Sequence, residues 1–295
     1  MVAALFPGQG SQKPGMGQSL FDAHAEARAV FSTVSETTGI DVANLCFAAD
    51  AETLTLTQNA QIALYTCGVA AYHCFAATGR SANLFAGHSI GEYAAIVCSG
   101  ALSIEDGARL VQKRGELMSQ AKSGAMAAVI GLERGPVEQV LSLITGIVVI
   151  ANDNCPGQFV ISGETDAVEL AMPALKEAGA KIVTKLNVSG AFHSPLMVDA
   201  SVSMREALDK ASFTVGLPVY SNVTAGRVEN PAMFPELLEK QLCGSVNWTP
   251  QMLKMIDEGM TSAFEIGSGK VLAGLMKRID KEIPVTVVED TEGLI

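Results

Sequence analysis

Gly87-His88-Ser89-Ile90-Gly91-Glu92 is the stretch whose reading decides the fold. The apolar segment Asn83-Leu84-Phe85-Ala86 precedes it and is short enough for a buried strand. Glu92-Tyr93-Ala94-Ala95-Ile96-Val97 follows and has the composition of a helix's first turns. Gly-x-Ser-x-Gly between strand and helix is the nucleophile-elbow pattern, in which small residues around a sharp turn push the serine out at the strand's carboxyl end. The free N–H groups of a helix N-terminus favour negative charge developing there. The same pattern also suits a tight turn in which serine merely caps the helix.

Upstream, Val2–Phe6 reads as a first buried strand ending in the glycine-rich loop Pro7-Gly8-Gln9-Gly10-Ser11-Gln12. This loop is not a phosphate cradle. Lys13 stands where a dinucleotide fingerprint needs its third glycine, and no Gly-Lys-Ser/Thr follows. It is a turn on the side of the sheet where α/β proteins place their sites, and Gln9 offers an amide N–H and a side chain there. Residues 19–79 read as mostly helical. Ser103, with Asp106 three residues on, marks the start of another helix. On that helix Arg114 shares an apolar line with Leu110 and Leu117, apart from the solvated Arg109 and Lys113. An inward arginine keeps its charge and requires an anion, whereas an edge arginine would reach a structural carboxylate.

From Ser123-Gly124 to Ser189-Gly190 the texture changes. Strands are expected at 125–132, 146–151, 158–162 and 181–188, with helices at 135–143 and 167–178. That βαββαβ order is the split pattern of a ferredoxin-like unit. The chain therefore reads as an α/β protein with a large parallel-sheet subdomain, residues 1–123 and 190–295, and a small inserted subdomain, 124–189. Beyond the insertion, Ser194-Pro195 signals a helix start, so His193 falls in a loop joining the two parts. It is either surface decoration or a general base for Ser89. His88 directly precedes the serine and would point the other way. Further strands are expected at 219–224, 262–266 and 285–288, with helices at 231–241, from 249, and from the Gly267-Ser268-Gly269-Lys270 turn to about 280.

Composition excludes several classes. Hydrophobic residues make up 48% and charged residues 17% of the 295, which describes a well-cored globular chain. The net charge of −11 opposes non-specific nucleic-acid binding, and an acidic protein partner would need a local basic patch. No apolar run approaches the roughly 20 residues of a membrane span, and Pro7 interrupts the N-terminus before a signal sequence could form. The six cysteines include no Cys-x-x-Cys pair and read as reduced core residues of a cytoplasmic protein. The four histidines show no metal-ligand spacing, so no metal is expected.

Taken together, Phe6-Pro7-Gly8-Gln9-Gly10-Ser11-Gln12, the Ser89 motif, Gln112-Lys113-Arg114-Gly115-Glu116-Leu117-Met118 and Gly190-Ala191-Phe192-His193-Ser194 resemble the malonyl-CoA:acyl carrier protein transacylase family. The resemblance runs through Ala125–Leu132, Asn154-Cys155-Pro156-Gly157-Gln158 and Gly267–Leu272, covering essentially the whole chain. It implies an α/β-hydrolase-like large subdomain with a ferredoxin-like small one. It also implies that Ser89 is the acylated nucleophile and His193 its base and acid. The Gln9 and Ile90 backbone N–H groups would form the oxyanion hole, and Arg114 would pair with the malonyl carboxylate. Gln241 matches the residue whose backbone carbonyl orients the histidine, while Gln61, Asn154 and Phe192 match pocket positions. Malonyl-CoA and an acyl carrier protein bearing phosphopantetheine are the implied partners, without a bound cofactor. Gly190-Ala191-Phe192-His193 and Ser221-Asn222-Val223-Thr224-Ala225 resemble the malonyl-selective acyltransferases of polyketide synthases, in particular discrete enzymes acting in trans.

A serine acyl hydrolase or thioesterase is the alternative. Such hydrolases place an acid and then a histidine late in the chain, yet about a hundred residues follow His193 and no triad acid is evident. A non-catalytic carrier-docking scaffold would have no need of serine, histidine and arginine together.

Overall fold

The computed structural model describes every residue of the chain except Lys122 and Ser189, so the expected border at Ser189 lies outside the described residues. Five strands, β1 (Val2–Phe6), β2 (Leu84–Gly87), β7 (Val219–Tyr220), β8 (Ser262–Ile266) and β9 (Val285–Val288), form a parallel sheet in the order β7-β2-β1-β8-β9. The central strand reads Val-Ala-Ala-Leu-Phe, and its last four residues are fully buried. Helices on both faces leave such a strand no solvent side, so its side chains are apolar without alternation. One face packs against Thr57–Ala77, a helix with fifteen buried residues, together with helices Ala25–Thr38 and Gly91–Cys98. The other packs against Trp248–Asp257 and Val271–Ile279.

The second sheet contains β3 (Ala125–Ile130), β4 (Val148–Cys155), β5 (Gln158–Gly163) and β6 (Ile182–Lys185), antiparallel in the order β4-β5-β3-β6. Helices Arg134–Ser142 and Thr165–Glu177 cover one face around a core of its own. The element order and strand order are those of the ferredoxin-like unit expected from the sequence. A small cluster of Met118, Met126, Ala151, Val160, Phe192 and Met197 fills the space between the sheets. Backbone bonds fix the edge as well: Asp153 donates to Val246 (3.0 Å) and Val246 to Ala151 (2.8 Å).

Three expected elements are shorter or start differently. The strand expected at 219–224 ends at Tyr220, because Ala225 N–H turns back to Ser221 O (2.9 Å) with Ala225 at φ 56°. Strand β6 ends at Lys185 rather than at 188, and the chain tightens so that Val188 N–H meets Leu186 O (3.1 Å). Ser194 does cap the following segment, but that segment opens as a 3₁₀ turn, Pro195–Met197, before helix Val198–Leu208.

The Gly-Ser-Gly-Lys turn after β8 is used for packing, and its helix N-terminus is already occupied. Glu265 accepts from Leu272 N–H (2.9 Å) and Ala273 N–H (2.7 Å). Burial lifts its carboxyl to about 6, against the pull of those amides.

Candidate active site

The carboxyl ends of β1 and β2 lie side by side, so the Gln9 loop and the Ser89 elbow meet at one edge of the sheet. Two glycines permit the turn through close approach. A Cβ on Gly87 would stand 1.9 Å from Gly91 C, and one on Gly91 would stand 2.2 Å from Phe6 O. The left-handed backbone falls on the serine itself, at φ 52°. That conformation costs a non-glycine residue about 1–3 kcal/mol and persists only where neighbours hold it.

The holders are specific. Asn222 Oδ1 accepts from Ser89 N–H (2.8 Å), and Asn222 Nδ2 donates to Gly87 O (2.8 Å) and Gln251 Oε1 (3.0 Å). Gln241 Nε2 donates to Ser89 O (3.0 Å) and Glu92 Oε2 (2.6 Å). Asn222, Gln241 and Gln251 are fully buried and Glu92 nearly so.

Ser89 Oγ lies 2.8 Å from His193 Nε2 across 104 residues of sequence. His193 Nδ1 is 2.8 Å from the Gln241 backbone carbonyl, which can only accept, so Nδ1 carries the proton and Nε2 is free to receive one. His193 also sits in the left-handed region, at φ 57°, with its N–H bound to Leu242 O (3.1 Å). Burial, with the Arg114 charge adding to it, pulls its pKa down to about 3, so the imidazole is neutral at working pH. The acceptor behind the imidazole is a peptide carbonyl, where a triad would have a carboxylate.

Arg114, on the apolar line of helix Ile104–Gln120, is wholly buried, which decides for the inward of the two alternatives its spacing leaves open. Nη1 donates to Gln61 Oε1 (2.7 Å), while Nη2 reaches Gln241 Oε1 (3.1 Å) and Ser89 Oγ (3.0 Å). The Tyr93 ring lies 5.7 Å from the guanidinium carbon. The cation is thus held immediately behind the Ser89 hydroxyl by neutral acceptors.

A cleft of about 250 Å³ opens over this cluster, lined by Gln9, His88, Ser89, Asn154, Phe192 and His193 among others. Of the expected pocket positions, Asn154 and Phe192 are on the wall. Gln61 is behind it, holding Arg114 and donating to Met118 Sδ (3.2 Å). His88 turns from the serine to Asn154 Oδ1 (2.8 Å). Ile90 is fully buried next to the start of helix Gly91–Cys98. Glu92, Asn222 and Gln251 are the participants to which sequence reading gave no role.

Fold and dyad together define an α/β serine–histidine enzyme. The chain belongs to the acyl transferase domain family, which it matches over residues 4–288. The malonyl CoA-acyl carrier protein transacylase of Bacillus subtilis strain 168 is 43% identical over 300 residues, 99% of this chain and 95% of that protein. Polyketide biosynthesis protein ThaF of Burkholderia thailandensis is 40% identical over 285 residues, 95% of this chain but 24% of that protein. Among solved structures, a type II PKS acyl-carrier protein in complex with its malonyl-transacylase matches with a TM-score of 0.96. That match is 36% identical and covers 99% of this chain and 97% of its counterpart.

Proposed function

We propose that the chain transfers a malonyl group from malonyl-CoA to the phosphopantetheine thiol of an acyl carrier protein through an ester on Ser89. The observation that carries this is the convergence on one oxygen. Ser89 Oγ faces a neutral imidazole nitrogen at 2.8 Å and a guanidinium nitrogen at 3.0 Å. His193 takes the hydroxyl proton as Oγ attacks the thioester carbonyl, then delivers it to the departing CoA sulfur. The Gln9 and Ile90 N–H groups receive the oxyanion, each worth roughly 3 kcal/mol by analogy with measured holes. Arg114 takes the malonyl carboxylate through its planar fork. The second half-reaction runs the same steps in reverse with the carrier's thiol. A hydrolase reading has no use for a buried cation behind its serine, and the histidine lacks a triad acid.

Residues 1–123 with 190–295 form the large subdomain and 124–189 the small one, with the cleft between them. The acidic carrier approaches over Val271–Ile279, whose Val271, Leu272 and Leu275 line the cleft. That segment carries the exposed cations Lys270, Lys277 and Arg278 at its ends. Six free cysteines, five of them buried, fit a reducing cytoplasm. No helix among the described residues is long and apolar enough to cross a membrane. The Gly190–His193 motif, together with the likeness to ThaF, supports supply of extender units to a polyketide synthase in trans.

Incubation with malonyl-CoA should add a malonyl mass to the Ser89 peptide. Wild-type protein without an adduct, or Ser89→Ala with one, would end the acyl-enzyme reading. Lys277→Glu should raise KM for holo-carrier while leaving loading from malonyl-CoA intact, and an unchanged KM removes the patch. Comparing kcat/KM over fatty-acid and polyketide carriers assigns the pathway.

A further inference from the structure

Behind the dyad, Glu92 and Arg114 face opposite ends of one side-chain amide. Gln241 Nε2 donates to Glu92 Oε2 (2.6 Å), and Gln241 Oε1 accepts from Arg114 Nη2 (3.1 Å). An ionised carboxylate only accepts and a guanidinium only donates, so the amide has one orientation that satisfies both. Asn222 N–H also reaches Glu92 Oε2 (3.2 Å), with the Ser221 hydroxyl beside it. Among the described residues, Glu92 Oε1 has no hydrogen-bond partner.

The charge inventory of this pocket is short. Tyr93 on the same helix is neutral, its hydroxyl pushed up by burial. His193 from the loop packed above and His88 before the serine are neutral, both pulled down by burial. Arg114, from helix Ile104–Gln120, remains protonated despite its burial. Among the described residues one cation and one carboxylate are left here, both buried, and each offsets the other's charge.

We propose that Glu92 is the buried counter-ion and positioning residue of Arg114, acting through the Gln241 amide, and that it takes up a proton from solvent when a carboxylate-bearing acyl group reaches Arg114. The inference rests on the malonyl-transfer reading above. A malonyl carboxylate on the guanidinium would place two anions against one cation, and neutralising Glu92 restores the balance. Burial already lifts the Glu92 carboxyl to about 7, so the proton is available near neutrality. A neutral acetyl group brings no second anion and calls for no proton. Selectivity for malonyl over acetyl is therefore linked to pH, falling as pH rises through the Glu92 pKa and approaching ~10-fold per unit for a one-proton linkage.

The test is the ratio of kcat/KM for malonyl-CoA to that for acetyl-CoA between pH 5.5 and 8.5. The CoA phosphates, the leaving thiol and His193 are common to both substrates and cancel in the ratio. Wild type should show the falling ratio. Glu92→Gln keeps an acceptor for Gln241 but cannot titrate, and its ratio should be flat. A flat wild-type ratio, or a Glu92→Gln ratio with the wild-type slope, overturns the proposal. Moving an acyl group from the CoA thioester to the Ser89 hydroxyl passes the hydroxyl proton to the CoA sulfur and so neither releases nor consumes a proton below the thiol pKa, and wild type alone gives a second readout should the variant not fold. Stoichiometric loading of Ser89 from malonyl-CoA in weakly buffered solution should take up protons, and loading from acetyl-CoA should not. Loading without uptake refutes the counter-ion role alone, whereas no malonyl ester at all refutes the transfer reading with it.

Discussion

Asn222→Ala is the sharpest test of how the elbow is held. The fully buried side chain makes four hydrogen bonds: Oδ1 accepts from Ser89 N–H and, at 3.4 Å, from Gln241 Nε2, while Nδ2 donates to Gly87 O and Gln251 Oε1. Truncation leaves the Ser89 N–H and Gln251 Oε1 buried without those partners, and each orphaned group costs about 1–3 kcal/mol. The sum, roughly 4 kcal/mol, is a large part of a stability of about 5–15 kcal/mol, so the variant should fold but be weakened. With a urea m-value of about 3 kcal/mol/M, the midpoint should fall by ~1.3 M. Because Ser89 would no longer be held at φ 52°, malonyl-ester formation followed by intact mass should slow by at least about tenfold, the equivalent of 1.4 kcal/mol. Asn222→Asp separates shape from hydrogen bonding. It keeps the acceptor for Ser89 N–H but turns an oxygen towards Gly87 O and Gln251 Oε1, and should be at least as damaging as alanine. A midpoint within ~0.3 M of wild type and an unchanged acylation rate in Asn222→Ala would refute the reasoning. A mild Asn222→Asp would show that packing, not donor geometry, holds the turn.

Arg114→Ala should lower kcat/KM for malonyl-CoA by about 10²-fold or more, the loss of roughly 3 kcal/mol of charge-assisted bonding, with a clearly smaller loss for acetyl-CoA. Equal losses would take Arg114 out of the carboxylate role. For His193 the expected outcome concerns the acid limb. The base must be deprotonated to act, and a pKa lowered to about 3 keeps it so far below 6.5. Single-turnover acetyl-enzyme formation should therefore be level from pH 7 to pH 5. A tenfold loss per pH unit setting in near 6.5 would mean that the imidazole is far more solvated than its burial implies.

Much of the site was legible because its signals are local. The elbow needs glycines where Gly87 and Gly91 stand, since a Cβ at either position would run into backbone atoms and no other residue serves. Helical phase puts Arg114 on the line of Leu110 and Leu117 but leaves an inward and an edge arginine both open, and the packing of helix Ile104–Gln120 decides for the inward one. His193 could be placed in a junction loop from the Ser194-Pro195 start signal, although its reach to Ser89 depended on how the two sheets dock. The residues left without a role fail on the same distinction. Glu92 stands in the first turn of a helix, where an acid complements the helix dipole and normally faces solvent. Only the packing of Gln241 and Asn222 from segments about 130–150 positions away makes it a buried charge. The sequence pattern puts Asn222 inside a strand running to Thr224, which would alternate its side chain with its neighbours'. The strand ends at Tyr220, and the turn that follows carries the amide under the serine.

The arrangement also accounts for why a peptide carbonyl suffices behind His193. A triad carboxylate would raise the imidazole's proton affinity, but here it would add a second anion to a pocket holding one cation and Glu92. The Gln241 carbonyl fixes the tautomer without charge, and the side chain of the same residue carries the contact between Glu92 and Arg114. One residue thus couples the base's orientation to the position of the cation. A change of side chain there, such as Gln241→Leu, should disturb selectivity between acyl groups while leaving the His193 backbone contact in place. A large, equal loss for malonyl and acetyl transfer, with the ratio between them unchanged, would show that the side chain has no separate part in selectivity.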